Sequence, residues 1–226
     1  MNYGSCNVII AAEAPDALTE VCGISILERL LRVLPRLNVA SVTIVSATPD
    51  AIRDHLARPS WPRADLRVEV RMRHADIVTV DDLFEAADSR GSNRTLVLTA
   101  AYYDSRSLLA LLTQTQTTLL VDSAPPPDVL PLLAHRASAI GYICTAAVVQ
   151  PEWLSSVAPD QPVFEQLAAA AERHDIAVID LATQPLYVTS MRRSIRPIWF
   201  PSPSAANLPL AQRLVLDTAQ NGTLDL

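Results

Sequence analysis

Short apolar runs alternate with amphipathic stretches along the whole chain, and their two periods separate strands from helices. Asn7–Ala11 is apolar after its first residue, the pattern of a strand buried on both faces. Ile24–Leu37 places Ile26, Leu27, Leu30, Leu31 and Leu34 on one side of a helix, with Ser25 as its cap. Ala40–Ser46 is a second strand, rich in β-branched residues. Asp50–Ala57 predicts a helix with Pro49 at its start. Leu66–Met72 alternates, with Leu66, Val68, Val70 and Met72 on one side and Arg67, Glu69 and Arg71 on the other. That pattern predicts a strand with one wet face near a sheet edge. Arg67, Arg71 and Arg73 share a side and read as charges that guard the edge against pairing.

The alternation continues to the end of the chain. Val80–Ala87 predicts a short helix, with Asp81 and Asp82 near its positive end. Strands are predicted at Arg94–Ala100, Thr117–Val121, Ala139–Val149 and Ile176–Leu181. Helices are predicted at Ser105–Leu112, Phe164–His174 and Ala206–Ala219. Strands apolar on both faces, separated by helices, predict an α/β fold: a three-layer α/β/α sandwich on a mostly parallel sheet. With no internal repeat and no long linker, residues 1–226 read as a single domain.

Composition adds exclusions. Half of the 226 residues are hydrophobic, which supports an ordered core. The net charge of −6 argues against nucleic acid as a partner. Cys6, Cys22 and Cys144 are far apart and odd in number, giving no disulfide or zinc pattern. They fit a reducing, cytoplasmic compartment. Met1–Cys6 lacks the basic-then-apolar pattern of a secretion signal, and no apolar run of about 18 residues is present to span a membrane. No Gly-x-Ser-x-Gly elbow, phosphate-binding P-loop or dinucleotide glycine fingerprint occurs.

Three segments together resemble a nucleotidyltransferase with the glycosyltransferase-A type, nucleotide-diphospho-sugar transferase-like fold, as in cytidylyltransferases and molybdenum-cofactor guanylyltransferases. They are Val8–Leu30, whose back half keeps a Leu, then Gly, then Leu-x-Arg cadence; Asn38–Ser46 with the helix at Asp50–Leu56; and Thr95–Leu109. The resemblance implies a nucleotide cleft at Ala11, Ala12, Glu13, Ala101 and Asp104. Tyr187–Arg193, Pro197–Phe200 and Ala211–Asp225 resemble the tail of a soluble N-terminal domain that precedes a CDP-alcohol phosphatidyltransferase membrane domain in some bacterial proteins. That second resemblance implies a C-terminal membrane transferase as partner and tethering through a segment after Leu226.

Nucleotidyl transfer needs backbone N–H groups close to the phosphates, a fixed cation, and carboxylates that hold Mg²⁺. The first loop instead reads Ala12-Glu-Ala-Pro-Asp16, with Pro15 removing a donor and Glu13 and Asp16 opposing a triphosphate. All 18 basic residues are arginine, so no lysine can reach a phosphate; a GC-rich genome is the plainer reading of that bias. Alanines 100 and 101 stand where the resemblance expects a metal-binding aspartate. Trp199–Asn207 has the rhythm of the second acidic motif without a carboxylate. The expectation is a degenerate domain with no catalytic residues, no metal and no cofactor, acting in binding, assembly or regulation. The alternatives are an active enzyme, using Mg²⁺ and CTP through Glu13, Asp104 and Arg29, and a free-standing ligand-binding protein.

Other residues carry two readings. Asp104 and Arg106 could be a displaced metal ligand and a phosphate clamp, but Asp104 as the cap of Ser105–Leu112, with Arg106 on a solvated first turn, is the plainer reading. Asp122 ends a strand, where α/β sheets bind ligands, and also suits a turn into Pro125–Pro127. Arg192, Arg193 and Arg196 form the densest basic cluster, suited to a phosphate or an acidic membrane surface, or to solvent. Arg29 and Arg32 read as surface charges, and the four histidines as surface residues. Ala139–Val149 and the proline-rich loops are candidates for a homo-oligomer surface, with a buried strand as the ordinary reading of the former.

Overall fold

A computed structural model describes residues 6–58, 66–73, 78–87, 93–133, 137–188 and 193–219, with the side chains of 84–87, 137, 193 and 219 not described. Six parallel-running segments make the frame: β1 (Asn7–Ala11), β4 (Ser41–Ser46), β5 (Arg67–Met72), β6 (Thr95–Thr99), β8 (Thr118–Asp122) and β11 (Ala177–Asp180). Two short strands, β2 (Glu20–Val21) and β3 (Ile24–Ser25), form a hairpin before β4, and β7 (Tyr102–Tyr103) follows β6. Later come β9 (Ala137–Ser138), β10 (Gly141–Val149), β12 (Tyr187–Val188), β13 (Arg193–Ser194) and β14 (Trp199–Phe200). The main sheet runs β11-β8-β10-β6-β1-β4-β5, with β9 paired to β10. All main-path pairings are parallel except those of β10, which runs antiparallel to both β6 and β8. β5 is at the edge, as its alternation predicts, although Met72 is half exposed.

The helices are α1 (Ile26–Arg36), α2 (Pro49–Ala57), α3 (Val80–Ala87), α4 (Ser105–Leu112), α5 (Pro151–Ser156), α6 (Val163–Glu172) and α7 (Leu208–Ala219). The period-2 geometry of β1 assigns them to layers. Val8 and Ile10 join a cluster with Leu27, Leu31, Ile52, Leu108, Leu111 and Leu214, from α1, α2, α4 and α7. Ile9 and Ala11 join Val80, Leu83, Leu154, Val163 and Leu167, from α3, α5 and α6. Strand residues buried on both faces therefore read as unbroken apolar runs. The three-layer sandwich on a mostly parallel sheet is the predicted one.

Local chemistry sets the helix starts. Ser25 accepts a hydrogen bond from the Glu28 amide at 3.1 Å, and Asp104 accepts one from the Arg106 amide at 2.9 Å. Predicted helix starts differ by one or two residues, most visibly at 24–25, which pair with 20–21 across Cys22 and Gly23, both at positive φ. Sequence periodicity did not single out β2–β3, β7–β14 or α5, because two-residue pairings and a six-residue helix carry almost no period. Ala139–Val149, offered as an oligomer surface, is a central strand between β6 and β8.

Candidate functional site

Every parallel strand of the main sheet ends on the same edge, so the loops after β1, β4, β6, β8 and β11 collect there, beside the end of β5. Ala11, Ala12 and Ala101 are buried, which leaves Glu13 as the polar side chain of the first loop nearest the strand end. Glu13 does not stand free. Its carboxylate pairs with the Arg73 guanidinium at 2.7 Å and accepts the Ala47 amide N–H at 3.0 Å and the Ser46 hydroxyl at 3.4 Å. Arg73 is only 5% exposed, so the guanidinium expected to guard an open edge is instead neutralised inside. Part of the backbone here is committed as well. The Ala14 N–H donates to Thr48 Oγ1, and those of Ala17, Leu18 and Thr19 donate to Glu13, Pro15 and Asp16 carbonyls.

In the middle of the edge, β6 ends at Thr99, followed by Ala100 and Ala101. Tyr103 is buried below, and its hydroxyl donates to the Thr145 carbonyl at 3.0 Å. Burial pushes the Tyr103 phenol up to about 12, so it stays protonated at neutral pH. Thr145 has φ +46° where β10 shifts register between Ile143 and Ala147, and its Oγ1 meets Thr99 Oγ1 at 2.6 Å. Tyr102 stacks on Phe200 at 4.8 Å, which fastens β14 to β7. The C-terminal stretch with the acidic rhythm thus lies beside the β6 end, presenting Pro201, Ser202 and Pro203 rather than a carboxylate.

Asp104 caps α4, the plainer of its two readings. It also holds Arg106 through two contacts, at 2.9 and 2.8 Å. Arg106 is not a solvated first-turn residue: it donates onward to the Pro185, Leu186 and Ile195 carbonyls, tying α4 to the hairpin β12–β13. A cavity of about 280 Å³ lies beside this network and is lined by Arg29, Tyr102, Asp104, Ser105, Arg106 and Thr218, among others. Arg29 reaches back to the Val21 carbonyl at 2.8 Å, and Arg32 pairs with Glu28, so neither is a free surface charge. The cavity brings Arg29 and Asp104 together; Glu13 is not part of its lining.

At the far end of the edge, Asp122 is fully buried. One oxygen accepts the Ala124 amide, which is the expected turn, and the Arg196 guanidinium at 3.1 Å. Its other oxygen has no partner among the described residues. Burial raises the Asp122 pKa, against the opposing pull of Arg196. Asp180, at the end of β11, is held below the ordinary carboxylate range: partial burial pushes it up, but hydrogen bonds from the Ser123 hydroxyl and amide outweigh that. Gly141 is required here, because at φ +111° a Cβ would come within 2.8 Å of the Asp122 carbonyl oxygen. Arg196, placed in a basic cluster by sequence, therefore serves an internal ion pair. Arg192 and the side chain of Arg193 lie outside the described residues.

His55 bonds Ser25 Oγ at 3.0 Å and is partly buried, unlike the surface residue expected, whereas His174 is exposed; His74 and His135 lie outside the described residues. Among the described residues no group of three or more His, Cys, Asp or Glu side chains could hold a metal ion. Among them, too, no helix is long and apolar enough to cross a membrane. Sequence reasoning missed the Glu13–Arg73 and Asp122–Arg196 pairs, whose partners are separated by 60 and 74 residues and announced by no local spacing.

No protein-family model and no curated sequence matches the chain. Solved structures do match its fold. HddC from Yersinia pseudotuberculosis superposes with a TM-score of 0.64 at 11% identity, covering 93% of this chain and 100% of that one. The inositol-1-phosphate CTP transferase from T. maritima superposes at 0.63 and 12% identity, covering 92% and 95%. A Bacillus anthracis protein assigned as a glucose-1-phosphate thymidylyltransferase gives 0.66 at 10% identity, covering 94% and 96%. The fold of this chain is nucleotidyltransferase-like.

Proposed function

We propose that this chain is a nucleotidyltransferase-like domain without transfer activity, whose role is binding, assembly or regulation beside a CDP-alcohol phosphatidyltransferase in phospholipid synthesis. The observation that carries the loss of activity is the state of the first loop. The Glu13 carboxylate lies against Arg73 and the Ala47 amide, and the amides of Ala14, Ala17, Leu18 and Thr19 already have partners. Transfer chemistry needs such groups free to meet phosphate oxygens in the transition state. The buried methyl of Ala101 and the Pro201–Pro203 segment add no carboxylate to hold Mg²⁺. The link to a phosphatidyltransferase rests on the resemblance of the C-terminal stretches alone.

A pyrophosphate-release assay with CTP or GTP, Mg²⁺ and a set of sugar and polyol phosphates tests the reading. No release above a no-protein control is expected, and sustained turnover overturns it. The coding sequence after Leu226 tests the attachment: apolar helical spans with an aspartate-rich motif support it, and a stop codon contradicts it.

A second reading, an active cytidylyltransferase, draws on the cavity that joins Arg29 with Asp104 and on the CTP transferase among the similar folds. In that reading Arg29→Ala abolishes turnover. The existing bonds of Asp104 to Arg106 and to the α4 amide oppose it, because a ligand would have to break both.

A further inference from the structure

Arg73, the Ala47 amide and the Ser46 hydroxyl form a cradle at the ends of β4 and β5. Its donors have different origins and converge on one carboxylate. Arg73 is 5% exposed, its Nε has no partner among the described residues, and it cannot lose its proton. A buried guanidinium of this kind requires an anion. The Ala47 amide lies just before α2, a nine-residue helix whose N-terminal end favours negative charge. Ser46 is buried and holds the Thr48 amide at 3.0 Å, which fixes the cradle's shape. The anion that fills it is the more exposed partner: the Glu13 side chain is 34% exposed and comes from a loop.

We propose that this cradle is an anion-binding site which the chain fills with its own Glu13, and that a phosphate dianion competes with Glu13 for it. A phosphate has three acceptor oxygens and more charge than a carboxylate, and the donors here number at least three. Glu13 is tethered, so it competes at a high effective concentration and keeps the site closed to dilute phosphate. The arrangement makes the first loop a latch: with Glu13 in place the loop is tied to β4 and β5, and with phosphate in place it is released. The inference concerns anion binding without Mg²⁺ or turnover, so it stands or falls apart from the loss of transfer activity.

Glu13→Ala and Glu13→Gln variants, titrated with inorganic phosphate in phosphate-free buffer, test the site. Each is expected to bind phosphate at least about tenfold more tightly than the unaltered chain. At ten times the dissociation constant, the melting temperature of Glu13→Ala should rise by about 3 °C or more. Adding Arg73→Met to Glu13→Ala should abolish both effects. Binding no tighter than in the unaltered chain, or binding that survives loss of Arg73, overturns the proposal. If Glu13→Ala does not survive purification, its refolding yield reads the same site. A yield raised by phosphate supports the proposal, and one indifferent to phosphate overturns it.

Discussion

The two ends of the sheet edge hold the same device with the charges exchanged. At the β1–β4–β5 end a buried cation, Arg73, meets a carboxylate from a more exposed loop residue, Glu13. At the β8–β11 end a buried anion, Asp122, meets a guanidinium from a more exposed residue, Arg196. In each case the core-side partner is fixed by a strand end and the outer partner pins a distant segment. The difference lies in what each core charge can do when its partner leaves. Asp122 can take up a proton and become neutral, whereas Arg73 cannot give one up.

That contrast ranks the consequences of breaking each pair. In phosphate-free buffer, Glu13→Ala should cost about 3 kcal/mol in denaturant unfolding, the low end for a buried pair because Glu13 is partly exposed. The cost should vary little between pH 6 and 8, since Arg73 stays charged throughout. Arg196→Ala should cost less, about 2 kcal/mol at pH 7, because protonation of Asp122 relieves part of the penalty. Its cost should shrink as the pH falls. A carboxyl whose folded pKa lies above its unfolded value binds protons more readily in the folded state. Its favourable contribution is complete below the unfolded pKa and is lost as pH rises through the folded one. Adding Asp122→Asn to Arg196→Ala should remove that pH dependence. A pH-independent Arg196→Ala would break the contrast.

Ser123→Ala should produce the smallest change, about 1 kcal/mol at pH 7, by removing the hydroxyl that holds Asp180 ionised. The sign is opposite to that of Asp122. The depressed Asp180 contributes stability above its unfolded pKa, and that stability is lost as pH falls through its folded value. The variant should therefore flatten the acid limb of the stability curve, which urea unfolding at pH 3 to 6 would show.

Strands and helices were legible because each is a local pattern: unbroken apolar runs in β1 and β6, one-sided helices in α1 and α4, and caps at Ser25 and Asp104. The resemblance pointed to the fold that the structural neighbours share. The case for the proposed loss of activity was legible only as absences. Alanines 100 and 101 and the missing lysine can be read from a string of letters. That Glu13 is bound rather than repelling cannot, because its partner lies 60 residues away and the Arg67–Arg71–Arg73 periodicity assigns Arg73 to a wet face. The chain passes the end of β5 there, and Arg73 turns inward behind the loop.

A compositional bias toward arginine thus gains a structural counterpart. Arg73, Arg106 and Arg196 each fasten a segment of this edge through carboxylates and carbonyls. None of them is left free to bind a triphosphate in the arrangement seen here. The most direct measurement is a calorimetric titration of the chain with CTP, with and without Mg²⁺, at micromolar to low-millimolar nucleotide. No Mg²⁺-dependent heat of binding is expected; tight binding that requires Mg²⁺ would contradict the proposed absence of nucleotidyl transfer.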